Sequence, residues 1–347
     1  MYDVITIGSA TRDVFLSGKV LEKNTSISDS QITLSLGAKL EMEKIVLTSG
    51  GGATNAAVTF ARQGMRVACL GVVGDDLDGQ EIITELEHEG VVTDLIQKHR
   101  DDHTGYSTIL VHPKGERVIL SYKGEGQHFD ATNIPLKKLE ATWFYISSVG
   151  GNSKLLSELF EHAKANNIKI AFNPGQKELE LGLDQLALFL KPLAVLTLNR
   201  EEGAGLVSLP GATAAEVLDK LAPLSDGIII VTDGVNGATL HHTDGSRYFA
   251  PVPDSPVVER TGAGDAFASG FVAEHQHAGD VVKALQFGTA NASSVVTQFG
   301  AKAGILKKDN WGGWPLVKVI KKWWSPDNHT LLSDAKNLRK IKPNFRA

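Results

Sequence analysis

Short apolar runs alternate with helix-period segments along most of this 347-residue chain. That alternation predicts an α/β fold: a mostly parallel sheet flanked by helices on both faces. Two further observations agree with it. Gly or Asn follows nearly every apolar run (Gly8, Gly74, Gly150, Asn173, Asn199, Gly234), as expected where strands end in turns. Hydrophobic residues make up 42% of the chain, ample for one large core.

Taken in order, strands are expected at residues 4–7, 67–73, 143–147, 168–172, 195–198 and 227–231. Helices are expected at 55–63, 80–89, 154–165, 214–221 and 281–297. Two regions break the alternation, 14–49 and 104–123. In the second, the runs from Tyr106 to His112 and from Glu116 to Tyr122 flank Pro113-Lys114-Gly115 and read as a hairpin. These segments form either an edge extension of the main sheet or a small β-lid over a cleft. The segment 307–347 is rich in Lys and Arg and holds Trp311, Trp314, Trp323 and Trp324. Aromatics among basic residues suit an anionic surface, but also an amphipathic extension whose Trp rings pack on the domain. The division expected is one α/β domain over 1–306 and this extension.

Composition narrows the function. A net charge of -5 and a pI near 6.1 give no field that favours nucleic acid or an anionic membrane. The single cysteine, Cys69, excludes an internal disulfide, and its apolar surroundings place it in a buried strand. No stretch approaches the roughly 20 apolar residues that span a bilayer. The first residues lack a signal peptide's basic and apolar regions, so a cytoplasmic location is expected. A dinucleotide-dependent oxidoreductase is disfavoured, because the first turn, from Gly8 to Asp13, lacks the required glycine spacing.

In open α/β sheets ligands gather at the carboxyl ends of strands, so chemistry is sought in the loops. The strongest motif there is Thr261-Gly262-Ala263-Gly264-Asp265, a turn running into a helix. Small residues admit a ligand close to the backbone, and first-turn N–H groups point outward as unpaired donors. Such a cup can stabilise charge building on a transferred phosphoryl group, while Asp265 orients a hydroxyl and takes its proton. Alternatively, Asp265 only caps the helix. The second motif is Ser49-Gly50-Gly51-Gly52-Ala53-Thr54-Asn55, which also opens a helix. It is not a Walker loop, since no Gly-Lys-Ser/Thr follows.

These two motifs, in this order and about 210 residues apart, resemble the ribokinase-like (PfkB) carbohydrate kinase family over roughly residues 3–306. The resemblance implies a ribokinase-like fold, ATP and Mg²⁺ as cofactors, and a sugar or sugar-like acceptor. It implies Asp265 as catalytic base and Gly262, Ala263 and Gly264 as anion hole. It assigns the substrate to Asp13, Gly51, Gly52 and Asn55, and the nucleotide to Asn199, Thr232, Gly234, Gly237 and Asn291. Glu202 would act on the metal through water. Gly71-Val-Val-Gly-Asp-Asp76 is similar to a family strand end and reads as structural. The β-rich segments fit the family's lid, whose edges allow a homodimer. The alternatives are that Asp13 is a plain turn residue, Asn199 and Glu202 a helix cap, and Thr232 with Gly234 a βα turn.

Two departures stand out. Glu259 and Arg260 occupy the places of the family's usual Asp-Thr, near its monovalent-cation site. Arg260 either supplies that positive charge internally or pairs with a surface carboxylate. Thr11 and Gly52 stand where ribokinases carry Asn and Lys, which disfavours ribose. A nucleoside kinase and a non-catalytic sugar or nucleotide sensor are the competing readings.

Overall fold

The computed structural model describes residues 1–23, 25–26, 31–100, 102–113, 115–124 and 129–323. The chain opens with β1 (Tyr2–Ile7), then β2 (Thr11–Ser17), β3 (Lys44–Gly50), α1 (Gly52–Arg62), β4 (Val67–Leu70) and α2 (Leu77–His88). A hairpin comes after them, β5 (Gly105–Val111) and β6 (Arg117–Tyr122). Next come β7 (Ala141–Ile146), α3 (Ser153–Ala165), β8 (Lys169–Phe172), β9 (Val195–Asn199), α4 (Arg200–Leu206), α5 (Ala214–Leu221) and β10 (Ile228–Thr232). The last elements are β11 (Ala238–His241), β12 (Ser246–Ala250), α6 (Ala263–Ala278), α7 (Val281–Val295) and β13 (Ile320–Trp323).

The nine-stranded main sheet has the order β13-β12-β11-β10-β9-β8-β7-β1-β4. Strands β4 to β10 in that order pair in parallel, and β11 to β13 add an antiparallel edge. Period-two alternation splits each central strand between two cores. Val4, Tyr145 and Ile230 pack with Phe60 and Phe271 on one face. Ile5, Phe144 and Ile229 pack with Leu159 and Leu218 on the other. Strands buried on both faces are continuous apolar runs, which is why they were legible as runs. Cys69 lies fully buried in β4, and burial pushes its thiol up to about 11.

Two boundaries differ from expectation. The run 67–73 breaks at Gly71, because Val72–Gly74 leaves the main sheet to pair with Gln97–His99. Helix α1 begins at Gly52 rather than Asn55. Ser9, from a distant loop, accepts from Gly52 N (through its Oγ) at 3.1 Å and from Ala53 N (through its carbonyl) at 3.2 Å. A cap supplied from 43 residues away leaves no local signal. Asp76 caps α2, accepting from Gly79 N at 2.8 Å, and also takes Thr104 N at 2.9 Å, which ties the hairpin's start to the sheet.

The β-rich segments form a separate four-stranded sheet, order β6-β5-β2-β3, and not an extension of the main edge. It starts at Thr11, three residues before the expected limit. Lys114, at the tip of the predicted hairpin turn, lies outside the described residues. In the C-terminal segment, Trp311 packs on Phe287 with ring centroids 5.1 Å apart, and β13 completes the sheet against β12. Trp324 and the rest of the basic extension, 325–347, lie outside the described residues.

Candidate active site

Strand β2 of the four-stranded sheet carries Asp13, whose neighbour in that sheet is Thr48 of β3. One residue beyond Ser49 the chain enters the glycine-rich turn. Asp13 lies so close to Gly50 that a Cβ there would fall 1.9 Å from Asp13 Oδ2. Thr11 Oγ1 donates to Asp13 Oδ1 at 3.1 Å. The carboxyl is buried, and burial raises its pKa against opposing pulls from Lys302, Ser107 and Thr11. Asp13 is therefore more than a turn residue: it packs against the turn's backbone.

Asp265 sits at the third position of α6. The N-cap is Gly262, in the left-handed region at φ 77°, where an added Cβ would come 2.3 Å from the Ala301 Cβ. Asp265 does not serve as the cap. Its Oδ2 accepts from Asn55 Nδ2 at 2.8 Å, which joins the two glycine-bearing motifs across 210 residues. Gly52 is also adjacent, since a side chain built there would begin 3.7 Å from Asp265 Oδ1. Burial raises the Asp265 pKa; Asn55 and Lys302 oppose the rise, and Asp13 adds to it. The first-turn amide of Gly264 has no protein acceptor among the described residues, and Gly264 is exposed. Ala263 N, by contrast, donates to Arg260 O at 3.4 Å, and a Cβ built on Gly264 meets nothing within 4 Å.

The loops after β9 and β10 lie side by side, because Asn199 and Thr232 are partners in the parallel ladder. Asn199 Oδ1 accepts from Glu202 N, and Glu202 Oε2 accepts from Asn199 N, each at 2.8 Å. This reciprocal box is the capping alternative, and it occupies one carboxylate oxygen of Glu202. Burial raises the Glu202 pKa, and the charge of Asp265 raises it further. Gly234, exposed at φ 50°, and Gly237 bound the turn after β10, which Arg200 braces through Asp233 at 2.9 Å.

Two expectations need correction. Asn291 is fully buried: its Nδ2 donates to Ala266 O at 2.8 Å and its Oδ1 accepts from Leu306 N at 2.9 Å. Both ends of the amide are engaged, so it braces α6 and has nothing to offer a nucleotide. Arg260 does not turn toward the anion cup. Its Nη1 pairs with Glu116 Oε1 at 2.9 Å, at the tip of the lid hairpin, with both side chains solvated. Glu259, fully buried, instead accepts from Thr261 N at 2.5 Å and Gly300 N at 3.2 Å, and the charge of Arg117 acts on it.

Lys302 escaped the sequence reading. It is buried, and its Nζ donates to Ser49 O at 2.6 Å and Ser49 Oγ at 2.7 Å. The only local hint is a lysine flanked by small residues in Gly300-Ala-Lys-Ala-Gly304, next to the turn that Glu259 holds.

A helix-terminal cup of amides with a carboxylate, facing a glycine-rich turn across the carboxyl ends of a parallel sheet, defines a phosphotransferase acting on small molecules. The chain belongs to the pfkB family of carbohydrate kinases, whose profile matches residues 21–308. Members of this class are ATP-dependent. The chain is 26% identical over 281 residues to a 5-dehydro-2-deoxygluconokinase from Clostridium tetani, covering 74% of this chain and 81% of the relative. It is 28% identical over 262 residues to the ribokinase of Bacillus subtilis, covering 74% and 84%. The fold is similar to that of Arabidopsis thaliana ribokinase complexed with ribose and ATP, with a TM-score of 0.74, 19% identity, and coverage of 89% of this chain and 97% of that one. Among the described residues no helix is long and apolar enough to cross a membrane.

Proposed function

We propose that this kinase transfers the γ-phosphoryl group of ATP to a hydroxyl of a sugar or sugar-like small molecule, with Asp265 as base. The observation that carries this reading is the 2.8 Å bond between Asn55 and Asp265, which brings substrate turn and anion cup into one site. Substrate binds against Asp13, Gly51, Gly52 and Asn55. The hydroxyl oxygen attacks the γ-phosphorus in line, the bond to the β–γ bridging oxygen breaks, and ADP leaves. The hydroxyl proton passes to Asp265 late in transfer. Amides of Gly262, Ala263 and Gly264 take up charge on the phosphoryl oxygens. Asn199, Thr232, Gly234 and Gly237 line the nucleotide's phosphate end.

A Mg²⁺ ion suits this donor set. Among the described residues no three or more His, Cys, Asp or Glu side chains gather to cage a metal alone. Mg²⁺ keeps most of its waters and needs only one or two carboxylates besides phosphate oxygens. Glu202, with one oxygen outside the capping box, would hold such a water. When bound, the ion neutralises charge on the β- and γ-phosphates.

The relatives' names support a sugar acceptor without selecting one. The test is ATP consumption over a panel of pentoses, hexoses, keto-sugar acids and nucleosides, run with wild type and Asp265→Asn. Loss of about 10³-fold in kcat is expected for the variant; near-normal turnover rejects Asp265 as base. A sensor would consume no ATP with any acceptor, and turnover with nucleosides alone would favour the nucleoside kinase. The outer lid face carries Ile45, Leu47, Val118, Leu120 and Tyr122, all exposed. A second copy of the chain would cover that face. Sedimentation should therefore report a dimer, and a monomer at micromolar concentration refutes it.

A further inference from the structure

We propose that Lys302 is a positioning residue of this active site, a buried cation that anchors the glycine-rich turn through Ser49 and offsets the charges of Asp13 and Asp265. The inference rests on the proposed role of Asp265 as base.

The geometry is that of a built site. Ser49 is fully buried and immediately precedes Gly50. Two groups from distant segments hold it: Lys302 Nζ on its carbonyl and hydroxyl, and Glu85 Oε2 on its N–H at 2.9 Å. The lysine's own backbone is fixed, since Arg62 Nη1 donates to Lys302 O at 2.8 Å and to Ile305 O at 2.9 Å. Arg62 is itself locked on Glu89. The ammonium therefore has little freedom to move away from the turn.

Among the described residues no carboxylate lies within ion-pair distance of Lys302. A buried ammonium without such a partner is costly unless nearby anions compensate. The groups whose negative charge acts on it are Glu85 of α2, Asp13 of β2 and Asp265 of α6, with a contribution from Cys69 of β4. The titratable groups coupled to Asp265 are Asp13, Lys302, Tyr145 of β7 and Glu202 of α4. Of these only Lys302 is positive. Two carboxylates, Asp13 buried and Asp265 half-buried, that must both be ionised when substrate arrives thus share one internal cation. Remove it, and each is more easily protonated; Asp265 then loses its ability to accept a proton at the acid end of the working range.

This gives a signature that a packing role lacks. The acid limb of the kcat/KM–pH profile should move upward by about one pH unit in Lys302→Met, with most activity recovered above the limb. Lys302→Arg keeps the charge and should leave the limb near its wild-type position. A loss uniform across pH, or equal limb shifts in both variants, overturns the proposal. Should Lys302→Met fail to fold, Glu85→Gln decides. Removing that competing carboxylate leaves the cation to Asp13 and Asp265, so the limb should move down; an unmoved limb overturns the proposal. Asp265→Asn measured alongside separates the two readings. If it stays active, the base assignment fails; if it is inactive while the limb ignores residues 302 and 85, only the role of Lys302 fails.

Discussion

Around the glycine-rich turn, Asp13, Asn55, Asp265 and Lys302 come from four distant segments and are largely withdrawn from solvent, whereas after β9 and β10 the polar groups bond close by. Asn55 reaches across 210 residues and Lys302 across 253. Asn199 and Glu202 are three residues apart, and Arg200 finds Asp233 on the next strand's loop. The first region is low in dielectric, so its charges act strongly on one another. The second is half-exposed, and its bonds hold loops in place against solvent. Changes in the first region should therefore be large, coupled and pH-dependent; changes in the second should be modest and confined to nucleotide binding.

The sharpest test of this contrast is Asp265→Asn, with kcat expected to fall about 10³-fold. Its stability should move the other way. The folded pKa of Asp265 is raised above the unfolded value. Ionising it then penalises folding, fully above the folded pKa and not at all below the unfolded one. Asp265→Asn should thus melt at or above wild type at pH 7–8, and the advantage should vanish near about pH 4. A variant clearly less stable at pH 8 would show that the bond from Asn55 outweighs desolvation.

Gly262→Val should come next. It forces a β-branched residue to φ 77° and against Ala301. A cost of about 1–3 kcal/mol in unfolding free energy is expected, with kcat lowered by about 10²-fold as the cup distorts. Denaturant titration and turnover check both. Glu202→Gln should leave the melt within about 1 kcal/mol of wild type. It should raise the Mg²⁺ needed for half-maximal rate several-fold, read by metal titration at fixed ATP; an unchanged requirement would leave Glu202 only its capping role. Arg260→Ala should do least. Its solvated pair with Glu116 is worth about 0.2–1 kcal/mol. Activity should stay within about twofold of wild type, with no new dependence on K⁺. A large loss would mean that the lid tip must latch onto the loop before the cup.

Legibility in the sequence tracks this same contrast. Strand runs, the turn into α6 and the glycine-rich turn were visible because each is local: apolar period, small residues, a carboxylate at a fixed offset. Asn291 misled because helix position says nothing of where an amide's two ends point. Arg260 misled for a related reason: a permanent charge beside a motif need not face into it. Lys302 was invisible, since a lysine between small residues looks like any solvated loop lysine until its burial is known.

By itself the sequence determined the layered α/β architecture, the two β-rich segments that interrupt it, and the two glycine-bearing motifs. Those features arise from patterns within a few residues, which backbone sterics and solvent exclusion read directly. Tertiary structure alone decided which polar partners the charged groups meet: Asn55 on Asp265, the Thr261 and Gly300 amides on Glu259, Ser49 on Lys302. Such meetings depend on how far apart segments pack, and electrostatic interaction in a dry interior depends on distance and burial rather than on order along the chain.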